Sequence, residues 1–155
     1  MGLYATFGSD MPGSCTRTPH EDWMELISFG HGIDRPYSTG GRWDPAQVHD
    51  FIFTKKSDKS SPKFNEAILA GKCFDEVEIH FCTTVGAEEE VPVYKLKLEK
   101  VRVTSYNLNG LAEGDSMETV SIYADKVTWT YSVQDEESEK GEVMYSYDVK
   151  ARKAG

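Results

Sequence analysis

The chain has 155 residues, carries 26 acidic against 17 basic side chains for a formal net charge of −9, and is 39% apolar and 12% aromatic. That length suits one ordinary domain with its own hydrophobic core, spanning residues 1–155 with no room for a fused effector domain, and the aromatic content excludes a disordered or collagen-like chain. The acidic balance repels nucleic acid and anionic lipid, so neither is an expected partner.

A basic cluster, Lys150, Arg152 and Lys153, and an acidic run, Asp135, Glu136, Glu137 and Glu139, both read as solvated surface. No stretch approaches the roughly 18 consecutive apolar residues of a membrane span, which argues against membrane insertion. The start, Met1 to Phe7, lacks the basic, apolar and cleavage regions of a secretory signal. The expected first location is therefore cytoplasmic. Gly2 and Thr6 satisfy an N-myristoylation pattern, but one too weak to carry a prediction. Three cysteines, Cys15, Cys73 and Cys82, are odd in number and unevenly spaced, which favours a chain that folds reduced.

In chain order, Leu3–Phe7, Trp23–Phe29 and Val48–Thr54 read as the first strands. Ser61 is the expected N-cap of a short helix, about residues 62–70, with Pro62 at its first position and Gly71 past its end. Phe64, Ala67 and Ile68 share one face of it and are set to pack on the sheet. In Glu76–Cys82, Val77, Ile79 and Phe81 alternate with Glu78 and His80, a strand with one buried face. Tyr94, Leu96 and Leu98 then give way to Val101 and Val103 on the opposite parity, which predicts a β-bulge near Glu99 and Lys100. The same switch separates Val120 and Ile122 from Val127, Trp129 and Tyr131. Val143–Val149 is the last strand. Long strands that change parity suit a curved or closed sheet, here a mostly β fold of about seven antiparallel strands with one flanking helix.

Connections fall at Gly8–Pro19, Asp34–Pro45, Asn107–Met117 and Gln134–Gly141. The Asp34–Pro45 loop is long, and loops of that length tend to be functional.

Reactive chemistry is not arranged in any known pattern. His80 and Cys82 share a strand face, and His20, His31 and His49 lie elsewhere, but close Cys or His pairs of the zinc type are missing, so no metal is expected. Nucleophile-elbow and phosphate-loop patterns are also missing. Leu69-Ala70-Gly71-Lys72 reads as a helix C-terminus with a lysine complementing the dipole. No catalytic residues, no cofactor and no enzymatic activity are expected.

A family resemblance runs from about Gly2 to Lys150. It is carried by Met11-Pro12-Gly13-Ser14, by His20-Glu21-Asp22-Trp23 and the strand to Gly32, and by Phe51-Ile52-Phe53-Thr54-Lys55-Lys56 through Ser60-Ser61-Pro62-Lys63. It continues through Ala70-Gly71-Lys72, Val77 to Cys82, Tyr94 to Tyr106, Glu118 to Ile122 and Lys126 to Tyr131, closing at Gln134-Asp135. In this order the segments resemble the Hcp (haemolysin-coregulated protein) family of type VI secretion systems.

The resemblance implies a small antiparallel β-barrel that assembles into six-membered rings. The rings stack into a tube, which a contractile sheath propels with its spike proteins and which carries or chaperones effector proteins in its lumen. It implies a protein that leaves the cytoplasm for the medium or a target cell without a signal peptide. The family's lumen wall falls at Phe29-Gly30-His31, making Gly30 and His31 the lumen candidates. The loop that reaches the neighbouring ring falls at Asp34–Pro45, making Arg35, Tyr37, Arg42, Trp43 and Asp44 the inter-ring candidates. The alternative is a free Hcp-like binding or regulatory module that never enters a tube.

Overall fold

The computed structural model describes residues 2–85, 89–133 and 141–155. Its elements are β1 (Gly2–Thr6), β2 (Met24–Glu25), β3 (Ser28–Gly30), β4 (Ile33–Asp34), β5 (Gln47–Val48) and β6 (Phe51–Lys56). After these come α1 (Ser61–Leu69), β7 (Phe74–Val85), β8 (Glu89–Asn109), β9 (Met117–Val133), β10 (Gly141–Asp148) and β11 (Lys153–Ala154). The expected Gln134–Gly141 connection lies outside the described residues except for Gly141.

All strand pairings are antiparallel, and their order turns back on itself. β1 pairs with β7, β7 with β8, β8 with β9, the first half of β9 with β6, and β6 with β3. The segment Met24–Gly30 joins the two ends: Met24 and Glu25 pair with β1, whereas Ser28 to Gly30 pair with β6. Between them the Leu26 amide donates to the Leu3 carbonyl at 2.9 Å and the Ile27 amide to the Thr54 carbonyl at 2.7 Å. The strand expected over Trp23–Phe29 is therefore two short strands serving different neighbours, as the corner of a small barrel requires.

Alternating apolar residues fill this barrel. Ala5, Met24, Phe53, Val77, Ile79, Leu96, Leu98, Val101, Ile122 and Val127 are all buried in one cluster. Each of these side chains larger than alanine contributes about 1.5–3 kcal/mol by leaving water. The parity switch lies where expected, but its form differs. Glu99↔Lys126 and Val101↔Ala124 keep one register, so no residue is inserted at Lys100; its left-handed backbone, φ 53°, turns the strand instead. Val127 and Val101 can thereby both be buried despite the break. Bulges occur elsewhere, at Thr104 on β8 and at the Phe81/Cys82 step opposite Tyr94 and Pro92.

Helix α1 starts one residue earlier than its cap pattern suggests. Ser60 is the N-cap, in helical backbone and without a side-chain cap bond. Asp58 is the reason: its carboxylate accepts from the Ser60 amide at 2.9 Å and from the Ser60 hydroxyl, while the Asp58 amide donates to Ser61 Oγ. The other end is as expected. Gly71 adopts φ 66°, its amide reaches the Ile68 carbonyl, and the Lys72 amide reaches the Ala67 carbonyl at 2.9 Å, a Schellman closure. Phe64 and Ala67 are fully buried and Ile68 packs against the same core.

Candidate assembly surfaces

Four features stand out: three surfaces that leave apolar groups in positions a self-contained domain does not need, and one buried charged cluster. The first is the segment after β3. Rather than an open loop, it is a hairpin: Ile33↔Val48 and Asp34↔Gln47 pair at its base, and Tyr37 bridges Trp43 near its tip. The Tyr37 and Trp43 rings meet edge-on at 5.0 Å, yet remain 61% and 62% exposed. The Ser38 amide donates to the Arg42 carbonyl at 2.8 Å and the Asp44 amide to the Pro36 carbonyl at 2.8 Å, which holds the tip in shape. Arg35, Arg42 and Asp44 are exposed on it. Sequence pattern missed β4 and β5 because two-residue strands flanked by Pro36 and Pro45 carry no alternation.

The second surface is β10. One side of it pairs with β9, while among the described residues β11 covers only Tyr147 and Asp148 on the other and the Gly155 amide reaches the Ser146 carbonyl. Val143, Met144 and Tyr145 are consecutive, so they point to both faces of the strand, and all three are more than half exposed. An edge with free backbone groups and apolar side chains on both faces invites pairing with another chain.

The third is the aromatic region between β10 and the barrel mouth. Trp129 Nε1 donates to His31 Nε2 at 3.2 Å, His31 and Trp129 stack at 5.9 Å, and Trp129 stacks on Tyr145 at 6.2 Å. A cleft of about 580 Å³ lies among His31, Ile33, Val48, Trp129 and Tyr147. A second, of about 780 Å³, lies among Phe29, Gly30, His31, Phe81, Tyr94 and Tyr131. His31 belongs to both. It also packs on Phe51 at 4.9 Å, and burial holds its imidazole below the ordinary histidine range. His31 is thus half-buried with a structural partner. Gly30 is exposed, and a Cβ placed there would meet nothing within 4 Å. The two lumen candidates are neighbours in sequence but differ in role: one packs, the other leaves open space.

The fourth is a charged cluster missed by sequence reasoning. Lys55, fully buried, is 2.7 Å from Glu118 and 2.9 Å from Asp58, and Tyr106 donates to Glu118 at 2.8 Å. Lys55 lies on β6 beside Lys56 and just before the polar run Ser57 to Ser61, and a lysine in that context reads as surface. The cluster anchors the turn before α1 rather than offering chemistry. Among the described residues no group of three or more His, Cys, Asp or Glu side chains is placed to hold a metal ion. His20, His80 and Cys82 do come together, as a packed cluster beneath the Gly8–Trp23 loop.

These features define a class: a small antiparallel barrel bearing a projecting hairpin, an edge strand with exposed apolar side chains and aromatic clefts beside it, the form of a building block. The family model for "Type VI secretion system effector, Hcp" matches residues 4–131, and the chain belongs to that family. It is an Hcp-type subunit of the type VI secretion system.

Solved structures carry the same fold. A structure described as a type six secretion system protein superposes with a TM-score of 0.89 at 24% identity, covering 99% of each chain. Hcp1 from Salmonella typhimurium gives a TM-score of 0.83 at 21% identity, covering 99% of this chain and 98% of that one. A type VI secretion system effector from Yersinia pestis gives 0.78 at 20% identity, covering 95% and 99%. No curated protein matches the chain.

Proposed function

We propose that this protein forms six-membered rings that stack into the secretion tube and hold effector proteins in the lumen. The observation that carries the reading is β10, whose open edge and exposed Val143, Met144 and Tyr145 leave one side of the sheet unfinished. Ring closure by rotation is a head-to-tail contact, so β10 of one protomer meets a different surface of the next. The cleft lined by Trp129, Tyr145 and Tyr147 is continuous with that edge and extends the contact.

In this reading the hairpin carries stacking, through Arg35, Tyr37, Arg42, Trp43 and Asp44. Gly30 and His31 face the lumen side, with Gly30 leaving room for cargo. Sheath and spike proteins act on the assembled tube, which starts in the cytoplasm and is delivered outside. The protein works by assembly and not as an enzyme.

The test replaces Val143 and Met144 together with Asp. Rings visible by negative-stain microscopy for the parent chain should be lost in the variant while its circular dichroism spectrum stays the same. Rings that persist unchanged would remove the β10 contact from the proposal. A parent chain that stays monomeric at high concentration would favour the free binding or regulatory module instead.

A further inference from the structure

The Gly8–Trp23 loop is folded back on itself and laid across β1 and β7. The Gly13 amide donates to the Asp22 carbonyl at 2.7 Å, the Cys15 amide to the Trp23 carbonyl at 3.0 Å, and the Asp22 amide to the Cys15 carbonyl at 2.8 Å. Met11 and Cys15, both buried, and the Arg17–Glu90 pair fasten parts of this loop to the barrel, and His20 fastens its second half. His20 is 1% exposed, lies parallel to the Tyr4 ring at 4.4 Å, and meets the Trp23 ring edge-on at 4.7 Å. Its Nε2 is 3.0 Å from Nδ1 of His80 on β7, and Nδ1 of His20 is buried without a hydrogen-bond partner.

This geometry restricts where protons can sit. His80 Nε2 lies 3.4 Å from a Glu78 carboxylate oxygen, which favours the proton on that nitrogen and leaves His80 Nδ1 as an acceptor. His20 then donates from Nε2, and its Nδ1 keeps a bare lone pair in an apolar wall. A proton added to His20 Nδ1 would create an unpartnered buried cation. A proton added to His80 Nδ1 would set two N–H groups against each other or force the His20 proton onto Nδ1, where it is buried without an acceptor. Either event weakens the contact at His20.

We propose that the His20–His80 pair is an acid-sensitive latch, which releases the Gly8–Trp23 loop from β1 and β7 as pH falls, while the barrel stays folded. Charged and titratable groups face the pair from every side: Tyr4 on β1, Arg17 and Glu21 in the loop, Glu78 and Cys82 on β7, and Glu90 and Lys95 on β8. Glu90 and Glu21 favour a charged His20, whereas burial, His80 and Lys95 oppose it, and the net effect holds His20 below the ordinary imidazole range. The open loop binds the proton that the closed loop refuses, so opening grows by about tenfold per pH unit once the free imidazole titrates. The Tyr4–Glu90–Arg17 bonds lie beside the latch and do not depend on either imidazole.

The experiment is amide hydrogen exchange on the full chain between pH 7.5 and 5, corrected for the intrinsic pH dependence of exchange. Gly13, Cys15 and Asp22 amides should lose protection about tenfold per unit below pH 6.5, while Leu98 and Ile122 amides do not. His20→Phe keeps the ring stack without a titrating nitrogen and should abolish that loss. Should that variant not fold, nitrogen NMR of the parent gives the answer, since His20 must remain neutral below the ordinary imidazole pKa. The latch is overturned if loop and barrel amides lose protection together, if His20→Phe opens with acid as the parent does, or if His20 titrates at or above the ordinary value.

Discussion

The ammonium of Lys55 and the carboxylate of Glu118 lie 2.7 Å apart with neither side chain exposed to solvent. β6 and β9 are paired here through Lys55↔Glu118, and Asp58 and Tyr106 complete the surroundings of the two charges. Desolvating a lysine and a glutamate is costly, and the mutual attraction plus these hydrogen bonds offsets that cost. Removing Glu118 leaves the buried Lys55 ammonium with Asp58 as its one remaining counter-charge and strips the Tyr106 hydroxyl of its acceptor. Glu118→Ala is expected to lower unfolding free energy by about 3–5 kcal/mol in urea titration. The double change Lys55→Met with Glu118→Leu should recover part of the loss, because the one charge that remains, Asp58, still accepts from the Ser60 amide and hydroxyl.

Gly13 holds a different kind of constraint. A Cβ built there would lie 2.4 Å from the Trp23 carbonyl oxygen and 2.6 Å from the Met24 nitrogen, both rigid backbone. Gly13→Ala must push the loop away from β2. A loss of about 1–3 kcal/mol is expected, similar to overpacking a core, and should appear as a lower thermal midpoint.

Thiol chemistry separates the three cysteines. Cys73 is exposed, whereas Cys15 and Cys82 are buried against Tyr4. Burial pushes the Cys82 thiol up to about 11 and raises Cys15 as well. One thiol per chain should react quickly with a disulfide reagent at pH 8, and Cys73→Ser should remove that phase. Fast reaction of all three in the native protein would contradict the burial.

His31 sets a pH dependence with a definite sign. Burial lowers its folded-state pKa, so the folded chain binds fewer protons than the unfolded one once pH drops below about 6.5. Stability conferred at higher pH is therefore lost as pH falls, by up to about 1.4 kcal/mol per unit for one such group. His31→Phe should flatten the decline between pH 6.5 and 5 in denaturant titrations relative to the parent. It also frees the Trp129 indole N–H, so some stability at neutral pH is expected to go with it.

Ring and stack should be separable. Trp43→Ala with Arg42→Ala alters exposed hairpin residues that touch no core side chain, so single rings are expected to survive while tube length seen by microscopy shortens. Loss of the rings themselves would place the hairpin in the lateral contact instead.

How much of this was legible in the sequence follows from what each residue's neighbours impose. Val77 to Phe81 and Tyr94 to Leu98 alternate cleanly because one face of each strand meets the core, so pattern located them. The parity break near Lys100 was equally visible, but whether a residue is inserted or merely twisted depends on the partner strand, where Asp125 breaks in step. The Ser60 cap was missed by one residue because Asp58 competes for both serines. Lys55 and Glu118 sit 63 apart in the numbering, and nothing local to either reveals that they meet. The lumen and hairpin positions came from resemblance, and the structure adds that His31 packs against Trp129 while Gly30 stands open.

Native mass spectrometry of the purified chain, across micromolar concentrations at neutral pH, addresses the assembly most directly. A closed ring is expected to give a dominant species of six copies of the 17.4 kDa chain. The same measurement on the Val143→Asp, Met144→Asp variant should give monomers. A parent protein that remains monomeric throughout would contradict the ring, and with it the tube.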